Sequence, residues 1–154
     1  MTNLLKTLLG ALACSLLFLG CGNSAKEEAP PANTEQIDAY LDQLKPLLQK
    51  VRSLDVEIAR AVPTDSVSAD VIVPLIEARF RPKLLELSAQ VQEIAPAPEL
   101  TTAHNHLRDY LRLRLEACDL VVRGARQGQP ELFELFGERL DAAAEELRAA
   151  GCDA

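Results

Sequence analysis

Histidines, cysteines and paired carboxylates are the side chains that could carry chemistry in this chain of 154 residues. The two histidines are His104 and His106. Two positions apart on a helix, they point about 200° away from each other, so one metal ion cannot take both without unwinding the backbone. Neither follows a glutamate by three residues, so the Glu-x-x-His pattern of di-iron bundles is missing. A Cys-x-x-Cys-His haem motif is also missing, and Met1 is the sole methionine, which leaves no Met/His haem ligation. His104 falls on an apolar helix face and reads as a half-buried packing residue. The carboxylates read as helix faces: Glu131, Glu134, Glu138, Asp141, Glu145 and Glu146 line one helix. Arg108, Arg112, Arg114, Arg123 and Arg126 on the preceding helix are their expected partners, in solvated pairs of about 0.3–0.5 kcal/mol each. Arg79, Arg81 and Lys83 form a second basic run of the same kind. No glycine-rich phosphate loop, nucleophile elbow or zinc signature occurs. The expectation is a non-enzymatic protein with no catalytic residue, metal site or cofactor.

The elements that must position these side chains are helical. Ala, Leu, Glu and Arg dominate, aromatic residues make up 4%, and there is no tryptophan, so good helix formers prevail. Four amphipathic segments follow one another. The first runs over about 34–62 on Ile37, Leu41, Leu44, Leu48, Val51, Ile58 and Val62, with Asn33 and Gln36 as a capping-box-like start and Pro46 as a kink or break. Residues 63–68 form a loop. The second covers about 69–94 on Ile72, Ile76, Phe80, Leu84, Leu87, Val91 and Ile94, with Pro74 near its start and Pro82 bending it. Pro96 and Pro98 separate it from the third, about 98–127, on Leu100, His104, Leu107, Leu111, Leu115, Cys118, Val122 and Ala125. Gly128 caps that helix and Pro130 opens the fourth, which runs to about 150 on Phe133, Phe136, Leu140, Ala143 and Leu147 with Gly151 as its cap. A turn of two to three residues between the last two makes them antiparallel neighbours. The predicted fold is all-α, an antiparallel up-down-up-down four-helix bundle whose first two helices are kinked by proline.

Ahead of the bundle, Met1–Lys6 carries one positive charge, and Thr7–Leu19 is an apolar run too short to span a bilayer as a stable anchor. It ends in Leu17-Phe18-Leu19-Gly20-Cys21. This resembles the lipobox of bacterial lipoproteins, in which a small residue precedes the acceptor cysteine; Phe18 and Leu19 depart from the usual residues there. Cys14, after Ala11-Leu12-Ala13, is a rival acceptor with only about six apolar residues before it. The resemblance implies a signal peptide over 1–20, cleavage before Cys21, diacylglyceryl and palmitate-type acylation on Cys21, and a lipidated tether over 21–33. Gly22 follows the cysteine where the inner-membrane retention signal of enteric bacteria has Asp, which implies sorting to the outer membrane. Gly22–Asn33 is polar and proline-containing and spans at most about 40 Å. The domain is then 34–154.

Cleavage removes Lys6 and no acidic residue, so the net charge of −7 becomes −8. A domain that acidic is repelled by phosphate backbones and anionic headgroups, which argues against nucleic acid and leaves the lipid on Cys21 as the route to a membrane. The resemblance also implies an oxidising compartment for the two remaining cysteines, Cys118 and Cys152, which makes them a candidate disulfide. Geometry opposes it: along a straight helical hairpin they would lie about 20 Å apart, against a Cα separation below about 7 Å, and a break at Gly137 or a different packing of the last helix would have to close the gap. The expected function is an accessory or interaction subunit of a cell-envelope assembly with an envelope protein partner. A periplasmic small-ligand or metal carrier and an inhibitor of an envelope hydrolase are the alternatives.

Overall fold

A computed structural model of the chain describes residues 34–61 and 68–152. About nine-tenths of them are helical, and no strand occurs among the described residues. Four rods follow the four predicted segments. We name them α1 (Thr34–Ala61), α2 (Ala69–Leu75, a π-helical stretch Ile76–Phe80, and Arg81–Glu93), α3 (Thr101–Gln127) and α4 (Glu131–Ala149). The fold is all-α. Cys21, Asn33 and the expected loop over 63–68, apart from Ser68, lie outside the described residues.

Proline and glycine set the limits of the rods. α1 runs on through Pro46, whose ring faces solvent. The carbonyl orphaned by the missing N–H, that of exposed Asp42, can turn to water. Ala97 is extended (φ −60°, ψ 145°), as the residue before Pro98 must be, and Pro98–Leu100 form a 3₁₀ turn leading into α3. α3 stops at Gly128, at φ 63°. The amides of Gly128 and Gln129 both donate to the carbonyl of Gly124, a left-handed cap that a side chain would strain.

The core is a continuous cluster in which α1 supplies Tyr40, Leu44, Leu47, Val51 and Leu54. From α2 come Ile72, Ile76, Phe80, Leu84, Leu87 and Val91, and from α3 Leu107, Tyr110, Leu111, Leu113, Val121 and Val122. Leu111 and Val91 are fully buried and Phe80 is 1% exposed. Each such side chain contributes roughly 1.5–3 kcal/mol by leaving water. α3 and α4 approach closely at Gly124, where an added Cβ would meet Phe133 Cε2 at 3.2 Å and Leu132 Cβ at 3.3 Å. Of α4 only Leu132 and Ala143 are buried, so it packs as an edge helix. Leu132 takes the inward place expected for Phe133, which is 42% exposed.

Candidate functional site

The π-helical stretch in α2 is where the sequence breaks helical regularity, and it lies beside an open groove. Arg81 N–H donates to the carbonyl of Ile76, five residues back instead of four. Pro82, which has no N–H and whose ring crowds a regular helix, follows at once. From this stretch Arg79 reaches across to α1, where its Nε donates to Glu57 Oε1, and its guanidinium lies 5.8 Å from the Phe80 ring centre. Lys83 Nζ donates to the same carboxylate at 3.0 and 2.7 Å. Hydrogen bonding from Lys83, then Arg79, holds the Glu57 carboxyl below its ordinary pKa, against the opposing effect of desolvation.

Around this triad runs a groove of about 350 Å³ lined by Ser53, Val56, Glu57, Arg60, Ala61 and Arg79. Val56 is 49% exposed there. Two cations, Arg79 and Lys83, hold the Glu57 carboxylate and a third, Arg60, lines the same groove, an excess of two positive charges over that one carboxylate on a chain whose net charge is −7. A second groove, about 520 Å³ between α2 and α3, is lined by Ser88, Gln92, Asn105, Arg108, Asp109 and Arg112, among others. Its charges answer one another: Arg112 donates to Asp109 at 3.1 Å and to Glu116 at 2.6 Å, and Arg139 of α4 also pairs with Glu116, at 3.2 Å. The α1–α2 groove is therefore the one with cations in surplus.

Among the described residues, three side-chain hydrogen bonds join α1 to α3. Tyr40 OH lies 3.1 Å from His104 Nδ1, the rings meeting edge to face at 5.9 Å. His104 is 4% exposed; burial, aided by Arg108, lowers its pKa. Burial, aided by the Cys152 thiol, pushes that of Tyr40 up to about 12. Deeper along the helices, Asp55 accepts from Tyr110 OH at 2.8 Å and from Arg114 at 2.7 Å. Burial is the main cause that raises the Tyr110 pKa.

Cys118 and Cys152 are two separate thiols, not the candidate disulfide. α4 is unbroken through Gly137, so the bend that would have joined them does not form. Cys152 instead lies near Tyr40, whose partner His104 is fourteen residues, or about 21 Å of helix, before Cys118. Burial raises the Cys118 pKa, which suits its reading as a small apolar core residue. His106 turns away from His104, to Glu146 of α4 at 2.6 Å. Among the described residues no group of three or more His, Cys, Asp or Glu is placed to hold a metal ion, and no helix is long and apolar enough to cross a membrane.

The arginine pattern differs from expectation. Arg114 pairs with Asp55 of α1 and Arg126 with Glu77 of α2 at 2.7 Å, while Arg81 of α2 pairs with Asp119 at 2.8 Å. Between α3 and α4 the ion pairs run from Arg139 and Glu146 on the fourth helix to Glu116 and His106 on the third. Sequence reasoning singled out neither Glu57 nor Asp55. Asp55 sits on a row dominated by apolar residues, and the partners of both lie on other helices, so local spacing carries no signal of the pairing.

By fold and site the chain is an all-α domain with a cation-rich groove between its first two helices. It matches no family model, and no curated protein or solved structure is significantly similar to it.

Proposed function

We propose that this is a lipid-anchored envelope protein, cut before Cys21 and held at the outer membrane by acyl chains on that cysteine. Its domain acts as a non-enzymatic interaction subunit of a cell-envelope assembly. The anchor reading is supported by the apolar run Thr7–Leu19 ending in Gly20-Cys21. Cys21→Ser is expected to move the protein from the membrane to the soluble fraction of lysed cells; a variant that stays with the membrane refutes the anchor.

We further propose an up-down-up-down arrangement of the rods, bent at the prolines. Its support is the order of the cross-helix pairs. Lys50–Gln90 and Glu57–Lys83 run in opposite order along α1 and α2. So do Glu77–Arg126 and Arg81–Asp119 along α2 and α3, and His106–Glu146 and Glu116–Arg139 along α3 and α4.

The observation that carries the interaction reading is the groove beside the π-helical stretch, with apolar Val56 exposed among cations. Such irregular turns recur at functional positions because they re-aim side chains that a regular helix would stack. A photo-crosslinking residue at Val56, in cells making the lipidated protein, is expected to give a discrete adduct of higher mass. The same residue at exposed Glu145 of α4 serves as the control. Adducts at both positions, or at neither, would overturn the groove as the docking face.

A further inference from the structure

We infer that the α1–α2 groove takes an acidic segment of a partner protein, with a partner carboxylate entering between Arg60, Arg79 and Lys83 and an apolar side chain resting on Val56. The inference rests on the reading of this groove as the docking face and adds the chemistry of what docks there.

Glu57 already shows which ligand the site suits. Its carboxylate sits on Arg79 and Lys83 together, in the way an incoming carboxylate would, and its side chain is 24% exposed. The two cations are 52% and 47% exposed, so a second anion can reach both from solvent. Arg60 lines the same groove and is exposed. Removing Glu57 by folding its charge into these pairs still leaves the groove positive, opposite in sign to the chain as a whole. Such contrast steers an acidic partner to this face and repels it from the others. Val56 supplies the apolar contact that gives a charged encounter its residence time.

A lipid surface is the other source of anions, and the net charge of −7 disfavours it: a flat anionic surface meets the acidic face around the groove, whereas a partner segment meets the groove alone.

The test uses the full chain bearing Cys21→Ser, so that acyl chains give no second route to vesicles. The probes are a fluorescein-labelled helical peptide with a Glu-Glu-Leu-Glu core, its Gln-Gln-Leu-Gln counterpart, and vesicles of phosphatidylglycerol and phosphatidylcholine. The glutamate peptide is expected to bind more tightly than the glutamine peptide, with an affinity that falls as salt rises. Arg60→Glu is expected to weaken it by about tenfold. Glu57→Gln should tighten it by roughly fivefold, because the internal competitor for Arg79 and Lys83 is gone. That gain is the distinctive result, since a carboxylate with a merely structural role would leave binding unchanged or weaker. Equal binding of the two peptides, no binding of either, or preference for the vesicles overturns the inference. An adduct at Val56 in cells, with the glutamate peptide unbound, would leave the docking face standing and remove only its acidic occupant.

Discussion

Asp55 gives the sharpest test of how the first helix is held. Its two carboxylate oxygens accept separately, Oδ2 from Tyr110 and Oδ1 from Arg114, so one side chain of α1 ties down two of α3. A hydrogen bond to a charged group contributes about 1.5–3 kcal/mol when shielded from water. The shielding here is partial: the Arg114 side chain is 17% exposed, but that of Asp55 is 37% exposed. Solvent screening reduces the pair to about 1 kcal/mol, with a similar amount for the tyrosine contact. Asp55→Ala is therefore expected to cost about 2 kcal/mol, or roughly 8 °C in Tm for a domain of this size. The assay is urea unfolding followed by circular dichroism, run as a double-mutant cycle with Arg114→Ala. The coupling should be about 1 kcal/mol. A second cycle on Arg112 and Glu116, exposed by 55% and 41% and four residues apart on α3, should give only about 0.3–0.5 kcal/mol. If the Asp55–Arg114 coupling is no larger than that of the surface pair, the contact does not hold α1 to α3 and the reasoning fails.

The other predictions concern protonation, a cap and the core. His104 has a folded-state pKa below its ordinary value near 6.5, so the native state disfavours the proton that the unfolded chain accepts. The stability it supports is present above pH 6.5 and is lost as pH falls from there toward the lowered pKa. Thermal melts between pH 8 and pH 5 should show this fall, and His104→Asn should flatten it. Glu57, lowered from 4.5, acts only below that pH, under the range of these melts. Gly128→Ala places a Cβ at φ 63° and should cost about 1 kcal/mol by urea unfolding, although no neighbour lies within 4 Å of that Cβ. Leu111→Ala, at a fully buried position, should cost about 3 kcal/mol, whereas Leu85→Ala, at 44% exposure, should stay within about 0.5 kcal/mol of the parent.

How much of this was legible in the sequence varied from helix to helix, for identifiable reasons. In α2 the six residues from Ile72 to Val91 predicted to face inward are all buried, because that rod has one dominant apolar row. α1 has two adjacent rows that share Leu44 and Val51. Periodicity favoured the row with Leu41 and Leu48, but the buried one carries Tyr40, Leu47 and Leu54. Tyr40 is placed by His104, sixty-four residues away, and no local window contains that information. In α4, Leu132 and Phe133 are neighbours of similar hydrophobicity. Both lie against the bare backbone of Gly124, and only the packing of α4 on α3 places Leu132 inward and leaves Phe133 42% exposed. The groove was not legible, since the prolines marked only kinks in the first two helices; its cation surplus needed Glu57, Arg79 and Lys83 brought together from two rods.

The π-helical stretch did leave a trace in the sequence, in a spacing that a regular helix does not tolerate. From Ile72 through Ile76 and Phe80 to Leu84 the buried residues of α2 come at three successive steps of four. At about 100° per residue, twelve residues overshoot three full turns by roughly 120°, so Ile72 and Leu84 would face different neighbours. One extra residue taken up in a wide turn removes about 100° of that drift and restores a single inward row. The inserted turn falls between Ile76 and Phe80, immediately before Pro82, where the missing amide makes a regular four-residue bond unavailable anyway. Core spacing and proline thus call for the same irregularity at the same place. The stretch that keeps Phe80 inside also carries Arg79, whose side chain leaves α2 for Glu57 at the groove. A packing requirement of the core and the proposed recognition chemistry therefore meet in one five-residue segment.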